Sequence, residues 1–282
     1  MNTDHSLAAL CAALDVTRAG YHAWVQRPPS VRAQTDAALQ TEIRAIHAAH
    51  RGRYGAPRIH AELQARGQRP GRKRIARLLR HAGLRGLCSR RFVPRTTDSR
   101  HPHPIAPNHL ATHSPPTGPN QIWVADLTYV PTAAGWLYVA VIMDWYSRRI
   151  IGWAAGLTLA TATVLAALRM ALTHRQPPVG LLYHSDRGVQ YASVEHREVL
   201  AAAGIDASMS RAGNPYDNAA MESFMATYKR ECVALAEVDG GYATPTEATT
   251  DFFAYVELYY NRQRRHSALG YQSPLDFEAN VN

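Results

Sequence analysis

The chain has 282 residues, of which 46% are hydrophobic, enough to bury the cores of two units at about 150 residues per domain. Its formal charge of +9 is uneven: residues 1–113 carry 19 Arg or Lys against six acids, a balance of +13, and residues 114–282 a balance of −4. No run of about 18 uncharged apolar residues occurs, the opening "MNTDHSLAALCAALD" has acids within its apolar stretch, and Cys11, Cys88 and Cys232 form no CxxC pair. The expectation is therefore a soluble, unexported chain with a polyanion-binding half, not a membrane, disulfide-framed or thiolate-zinc protein.

The first predicted elements are helical. Leu7–Leu14 and Arg18–Val25, joined by "DVT", read as a faint helix-turn-helix. Thr35 can cap a helix with Leu39, Ile43 and Ile46 on one face. Pro57 sits in the first turn of the next helix, where Ile59 and Leu63 lead to the stop at Gly67. A third helix runs from Arg72 to His81, with Ile75, Leu78, Leu79 and Ala82 on its inner side and Lys73, Arg77 and Arg80 on the other. A cationic stripe of that kind suits a phosphate backbone, although a merely solvated helix face has the same pattern. Residues 1–94 are thus expected to form an all-α, helix-turn-helix-like DNA-binding domain.

A seam rich in Pro, His and Thr follows, with Pro102, Pro104, Pro107, Pro115, Pro116 and Pro119 and no apolar periodicity, and it predicts an extended linker over 95–120. After it, "IWVADLTYV", "WLYVAVIMD" and "RIIGWAA" read as three strands in hairpin order. Thr161–His174 is a helix, "VGLLYH" a strand buried on both faces, "SVEHREVLAAAG" a helix with its Gly stop, and "IDASM" a short strand. Asp217 caps a helix whose apolar face is Met221, Phe224, Met225 and Tyr228, and whose other side carries Asn218, Glu222 and Lys229. The order βββαβαβα implies a mixed five-stranded α/β sheet flanked by helices over 121–240, with a C-terminal helix and arm over 241–282.

Two strands carry an acid in an apolar setting, Asp126 inside the first and Asp186 just past "LLYH", which is costly unless the acids serve a purpose. Hairpin order puts the first strand centrally, and a crossover strand beside it brings Asp186 to Asp126; Glu222 is the third candidate. Converging carboxylates repel one another without a cation and become ligands with one. Hard oxygen donors point to Mg²⁺ or Mn²⁺, and two such ions can serve in-line phosphoryl transfer. Lys229 then faces DNA phosphate. The chain has two Lys, Lys73 and Lys229, against 29 Arg, consistent with a need for a compact ammonium there. His184 is either a ligand or a satisfied strand-end histidine, and Asp144 is a rival acid at the end of the second strand.

Asp126 and Asp186 are 60 positions apart, and Asp186 and Glu222 are 36 apart. This resembles the D,D-35-E signature of retroviral-type integrases and transposases. More closely, "WVADLTYV", "MDWYSRRIIGW", "YHSDRGVQYAS", "SMSRAGNPYDNAAMESF", "YKRE" and "YYNRQRRHSALGYQSPLDFE" are similar to the successive motifs of the second reading frame of IS3-family insertion sequences. "YGAPRIHAEL" followed by "RKRIARLLRHAGLRG" resembles that family's upstream helical domain, so the likeness spans nearly the whole chain. It implies an RNase H-like core holding two Mg²⁺ through Asp126, Asp186 and Glu222, cleavage at the 3′ ends of a mobile element, and attack of the freed 3′-hydroxyl on a new phosphodiester. It further implies a bacterial cytoplasmic, DNA-associated protein, a homo-oligomer on double-stranded DNA, and an upstream-frame partner or frameshift fusion supplying a zipper. In the C-terminal arm, Arg264, Arg265 and His266 read as DNA or partner contacts, with packing of the arm on the core as the other reading. An RNase H-type nuclease and a non-catalytic DNA-binding regulator are the alternative functions.

Overall fold

The computed structural model describes residues 6–87, 104–211 and 218–280. The chain divides into two separately packed units, Met1–Gly86 and Leu87–Asn282.

In the first unit, α1 (Leu7–Ala13) and α2 (Arg18–Gln26) each start at a hydroxyl cap, Ser6 accepting the Ala9 N–H and Thr17 the Gly20 N–H. Helix α3 (Val31–Ala49) begins earlier than the expected cap. Ser30 accepts the Ala33 N–H, whereas Thr35 turns its hydroxyl onto the Arg32 carbonyl inside the helix. Helix α4 (Ala56–Ala65) has Pro57 in its first turn, and α5 (Arg72–His81) covers the span expected of it. Leu39, Ile43 and Ile46 of α3 meet Ile59 and Leu63 of α4 and Ile75, Leu78 and Leu79 of α5 in one small core. Lys73, Arg77 and Arg80 are exposed, but Arg77 is already engaged. With Arg74 it binds Asp36 of α3, at 2.5 and 2.6 Å, and these bonds, Arg77's first, hold that carboxyl below its usual range. The open part of the ridge is therefore Lys73 and Arg80.

The second unit is built on a sheet of order β3-β2-β1-β4-β5: β1 (Ile122–Thr132), β2 (Gly135–Asp144), β3 (Ile150–Gly156), β4 (Leu182–Ser185) and β5 (Asp206–Met209). The first three pair antiparallel; β4 lies parallel to both β1 and β5. Gly135 closes the β1–β2 hairpin at φ +121°, a conformation open to glycine. Helix α6 (Thr161–Arg175) lies on one face, over Trp123, Ala125, Ile142 and Ile151. It approaches so closely that a Cβ built on Gly152 would stand 2.4 Å from the Ala167 carbonyl oxygen. Short α7 (Val189–Ala192) and α8 (Val194–Ala202) bring Tyr191, Ala192 and Leu200 into the same cluster.

The opposite face is covered from the C-terminal half. Helix α9 (Ala219–Tyr228) continues through a π-helical segment, Lys229–Val233, into α10 (Ala234–Val238). Helix α11 (Pro245–Phe253) then runs into a second π-helical segment, Ala254–Tyr260. Phe252 packs against Trp153 and Tyr228, and buried Glu231 accepts from Tyr255 and, twice at 2.8 Å, from Arg264. The last helix, α12 (Pro274–Ala279), docks through Glu278, which accepts from Ser147, Arg149 and Arg175. Residues 241–280 are thus part of this core rather than an appended arm.

The seam also differs from an extended linker where it is described. Ala106 packs on the core, the Pro107 carbonyl accepts the Met209 N–H, His109 donates its N–H to Ser208, and Asn120 donates its own to Asp144. The cause is local: backbone donors in this stretch find buried acceptors on β5 and β2. Cys88 and the expected cap Asp217 lie outside the described residues; Cys11 and Cys232 are buried thiols.

Candidate active site

Strand register carries two of the acids to one place. In the parallel pair, Val124 of β1 stands opposite His184 of β4, and Asp126 and Asp186 each lie two residues further along. Side chains alternate with period two and neighbouring strands lie about 4.8 Å apart, so both acids leave the sheet on one side at adjacent positions. That side is the α9–α11 face, because Asp126 is opposite Val141, and Val141 opposite Trp153, which packs on Phe252 of α11. Each carboxylate is steadied by a local backbone donor: Asp126 Oδ1 accepts the Leu127 N–H at 2.8 Å and Asp186 Oδ1 the Gly188 N–H at 2.9 Å.

Helix α9 brings the third. Met221, Phe224, Met225 and Tyr228 bury its apolar face as their spacing requires, leaving Glu222 exposed. Asn218, at its N-cap, is buried, and its side-chain amide donates to the Ala125 carbonyl at 3.1 Å. The helix start is thereby tied to β1 one residue before Asp126.

The electrostatics register the convergence. Burial, then the charge of Asp186 and, more weakly, that of Glu222 push the Asp126 carboxyl up to about 7, against the Leu127 N–H and Lys229, which lower it. Burial raises the Glu222 carboxyl as well. Lys229 is half-buried and its ammonium is pulled down by burial, with Asp126 opposing. Its Nζ lies 4.7 Å from the centre of the Tyr129 ring. A purely carboxylate donor set, in which the charges of Asp186 and Glu222 both raise the Asp126 carboxyl, fits a hard divalent cation in chemistry. Among the described residues, no three acid, His or Cys side chains yet stand close enough together to hold one ion.

Several other expectations are corrected by the geometry. Asn218 does not face outward beside Glu222; it points into the protein, because the Ala125 carbonyl lies just past the last β1–β4 pair. Arg264 is buried in its bidentate pair with Glu231, and His266 is buried with its ring edge-on to Tyr260. Arg265 is half-buried and donates to the Tyr271 carbonyl. These three serve the packing of the C-terminal segment. His184 is a satisfied strand-end histidine, bonded to the Ser208 and Ser210 hydroxyls. Asp144 is fully buried at the other end of the sheet, where it accepts from Asn120 and Ser147 and lies 3.7 Å from Arg175. Tyr129 had no signal in the sequence, since nothing in a strand pattern ties it to a lysine one hundred residues away.

A five-stranded mixed sheet with one acid inside its central strand, a second just past the adjacent parallel strand, and a third on the helix after the last strand defines the RNase H-like class of integrase cores. Models of an integrase core domain match residues 116–215 and 203–274, and a model of an HTH-like domain matches residues 33–92. The HTH-like match therefore falls on α3–α5, not on the α1–α2 pair. An uncharacterised 31 kDa protein of insertion element IS600 from Shigella sonnei is 45% identical, over 95% of this chain and 97% of its own. Transposase InsF for insertion sequence IS3A from Escherichia coli K12 is 38% identical, over 98% of this chain and 94% of its own. The chain belongs to the IS3 family of insertion-sequence transposases. Among solved structures, a simian T-cell lymphotropic virus intasome in complex with a PP2A regulatory subunit shares the fold, with a TM-score of 0.50 and 15% identity over 84% of this chain and 74% of that one. No helix among the described residues is long and apolar enough to cross a membrane.

Proposed function

We propose that Asp126, Asp186 and Glu222 are the catalytic acids of this transposase, and that together they hold two Mg²⁺ ions, for which Mn²⁺ can substitute. The observation that carries the reading is the strand register that sets Asp126 beside Asp186, with the start of the Glu222 helix tied by Asn218 to the residue before Asp126. Ions bound there supply activation of an attacking hydroxyl and stabilisation of the leaving oxygen of a phosphodiester. The remaining work falls to the chain itself. Asp126 and Asp186 are fixed by strand register and backbone donors, so little reorganisation accompanies binding. Glu222 stands on the exposed side of α9, where it could close on the pair once divalent cations offset the repulsion. Lys229 places a positive charge beside Asp126 where a phosphate would approach.

In this reading the reaction is cleavage at the element's 3′ ends followed by joining of the freed 3′-hydroxyls to target DNA. Lys73 and Arg80 of the helical unit contact the DNA backbone, and the working form is a homo-oligomer on double-stranded DNA, alone or joined to an upstream-frame product. Residues 1–86 hold DNA and the remainder carries the chemistry.

The test is joining of a pre-cut element end, with a free 3′-hydroxyl, to a target duplex. Asp126→Asn, Asp186→Asn and Glu222→Gln should each abolish joining while leaving folding and DNA affinity within about twofold. A variant that still joins ends near the wild-type rate removes its residue from the triad. Hydrolysis without any joined product in the wild-type protein would instead favour an RNase H-type nuclease.

A further inference from the structure

The tip of the β1–β2 hairpin carries an aromatic pair that nothing so far assigns. Trp136 is 51% exposed and stands edge-on to Tyr129, with ring centres 5.2 Å apart and planes at 83°. The Lys229 ammonium lies over the Tyr129 ring and is electrostatically linked to Asp126, so it stands between the aromatic pair and that acid. Beyond Val124, β1 has no β4 residue paired with it, which leaves an edge past which Lys229 reaches the ring. The tip is held rather than frayed: Ala133 donates its N–H to the Tyr242 carbonyl at 2.9 Å, and the Thr132 hydroxyl donates to the Gly135 carbonyl at 2.7 Å.

We propose that Trp136 and Tyr129, with Lys229 above, form a stacking shelf for a nucleobase of the DNA strand lying across the active site. An exposed indole on a fixed hairpin, beside a cation that reaches around the open β1 edge from the proposed phosphodiester-binding site, has the elements of single-strand recognition: a π-face for a base and a positive charge for the backbone. Position follows from geometry. Tyr129 is three residues along β1 from Asp126, and Trp136 is opposite Pro131, five along, so both rings leave the sheet on the face opposite the Asp126 carboxylate, and Lys229 meets the Tyr129 ring around the open edge. At about 3.3 Å per residue these are roughly 10 and 17 Å, or about three to five base steps of 3.4 Å from the reacting phosphate.

This inference rests on the proposed function, so its test has one arm that needs no chemistry. In the catalytically silent Asp126→Asn chain, duplexes of the element's own terminal repeat are prepared with 5-iodouracil at successive positions from the 3′-hydroxyl. Irradiation should cross-link the peptide carrying Trp136 or Tyr129 from positions about three to five, and from few others. In the second arm, Trp136→Ala should lower joining about tenfold, the size of one lost base–aromatic stack, while Trp136→Phe stays within about twofold of wild type. An abasic site at the cross-linked position should slow the wild-type chain by the same factor and slow Trp136→Ala no further. A merely structural tryptophan would give additive losses instead. The shelf is overturned if neither peptide cross-links, if Trp136→Ala joins ends at the wild-type rate, or if its effect is confined to the oligomeric state, which would mark a protein contact. Cross-linking as expected in a chain whose wild-type form joins nothing would keep the shelf and sink the proposed chemistry.

Discussion

Asn218 donates its side-chain amide to the carbonyl of Ala125, 93 residues earlier in the chain, and so ties the start of the helix that carries Glu222 to the strand residue beside Asp126. The bond spans the two elements whose spacing decides whether the acids can act together. Asn218→Ala should leave a buried carbonyl unpaired, cost about 1–3 kcal/mol of stability, and slow end joining by at least tenfold. DNA affinity should stay within about twofold, as measured by anisotropy. A loss of affinity with unchanged single-turnover joining would instead place Asn218 on the DNA.

Asp126 makes the protein less stable at neutral and alkaline pH when no divalent ion is present. Its carboxyl titrates at about 7 in the folded state against 3.8 ordinarily, so between these values the native state holds a proton that the unfolded chain has released. Stability from this group therefore falls as pH rises from about 4 to about 7 and stays reduced above. Asp126→Asn should melt higher than wild type at pH 8 in chelator, and the gap should close towards pH 4. Thermal unfolding followed by circular dichroism across pH checks this. Equal melting temperatures at pH 8 would show that the acids do not strain one another.

Arg264 is expected to matter for folding rather than for DNA. Arg264→Met leaves buried Glu231 without its guanidinium and should cost about 3–5 kcal/mol in denaturant unfolding, with much of the loss recovered in the Arg264→Met, Glu231→Gln double variant. The double variant should bind DNA like wild type. Weak DNA binding by a well-folded double variant would return Arg264 to the nucleic-acid surface.

Gly152 is expected to tolerate no side chain, because a Cβ there would meet the Ala167 carbonyl at 2.4 Å and the Ala171 Cβ at 2.8 Å. Gly152→Ala should cost about 1–3 kcal/mol as α6 is forced off the sheet. Gly180→Ala should fail for a different reason: it has open space around it but a φ of +86°. Denaturant midpoints for both, compared with an exposed Ala substitution on α6, separate the two causes.

Much of this molecule is already written in local pattern. Apolar residues at helical spacing fixed α5 and the buried side of α9, and strand order with an acid in each of two apolar runs was enough to pair Asp126 with Asp186, because a crossover strand beside a central strand leaves little choice of register. Spacing and motif order carried the family. What local pattern lacks is the far partner of a polar side chain. Arg77 reads as an open cation until Asp36, 41 residues away, closes on it. Arg264 reads as a DNA contact until Glu231 is found behind it, and Asn218 as a surface residue until the strand carbonyl past the end of β4 claims its amide. Sequence thus determined which residues are apolar, which are acidic and in what order the elements run. Only the tertiary structure decided which charges are spent inside the fold and which remain for a ligand, since burial and pairing depend on groups that meet only once the chain has closed on itself.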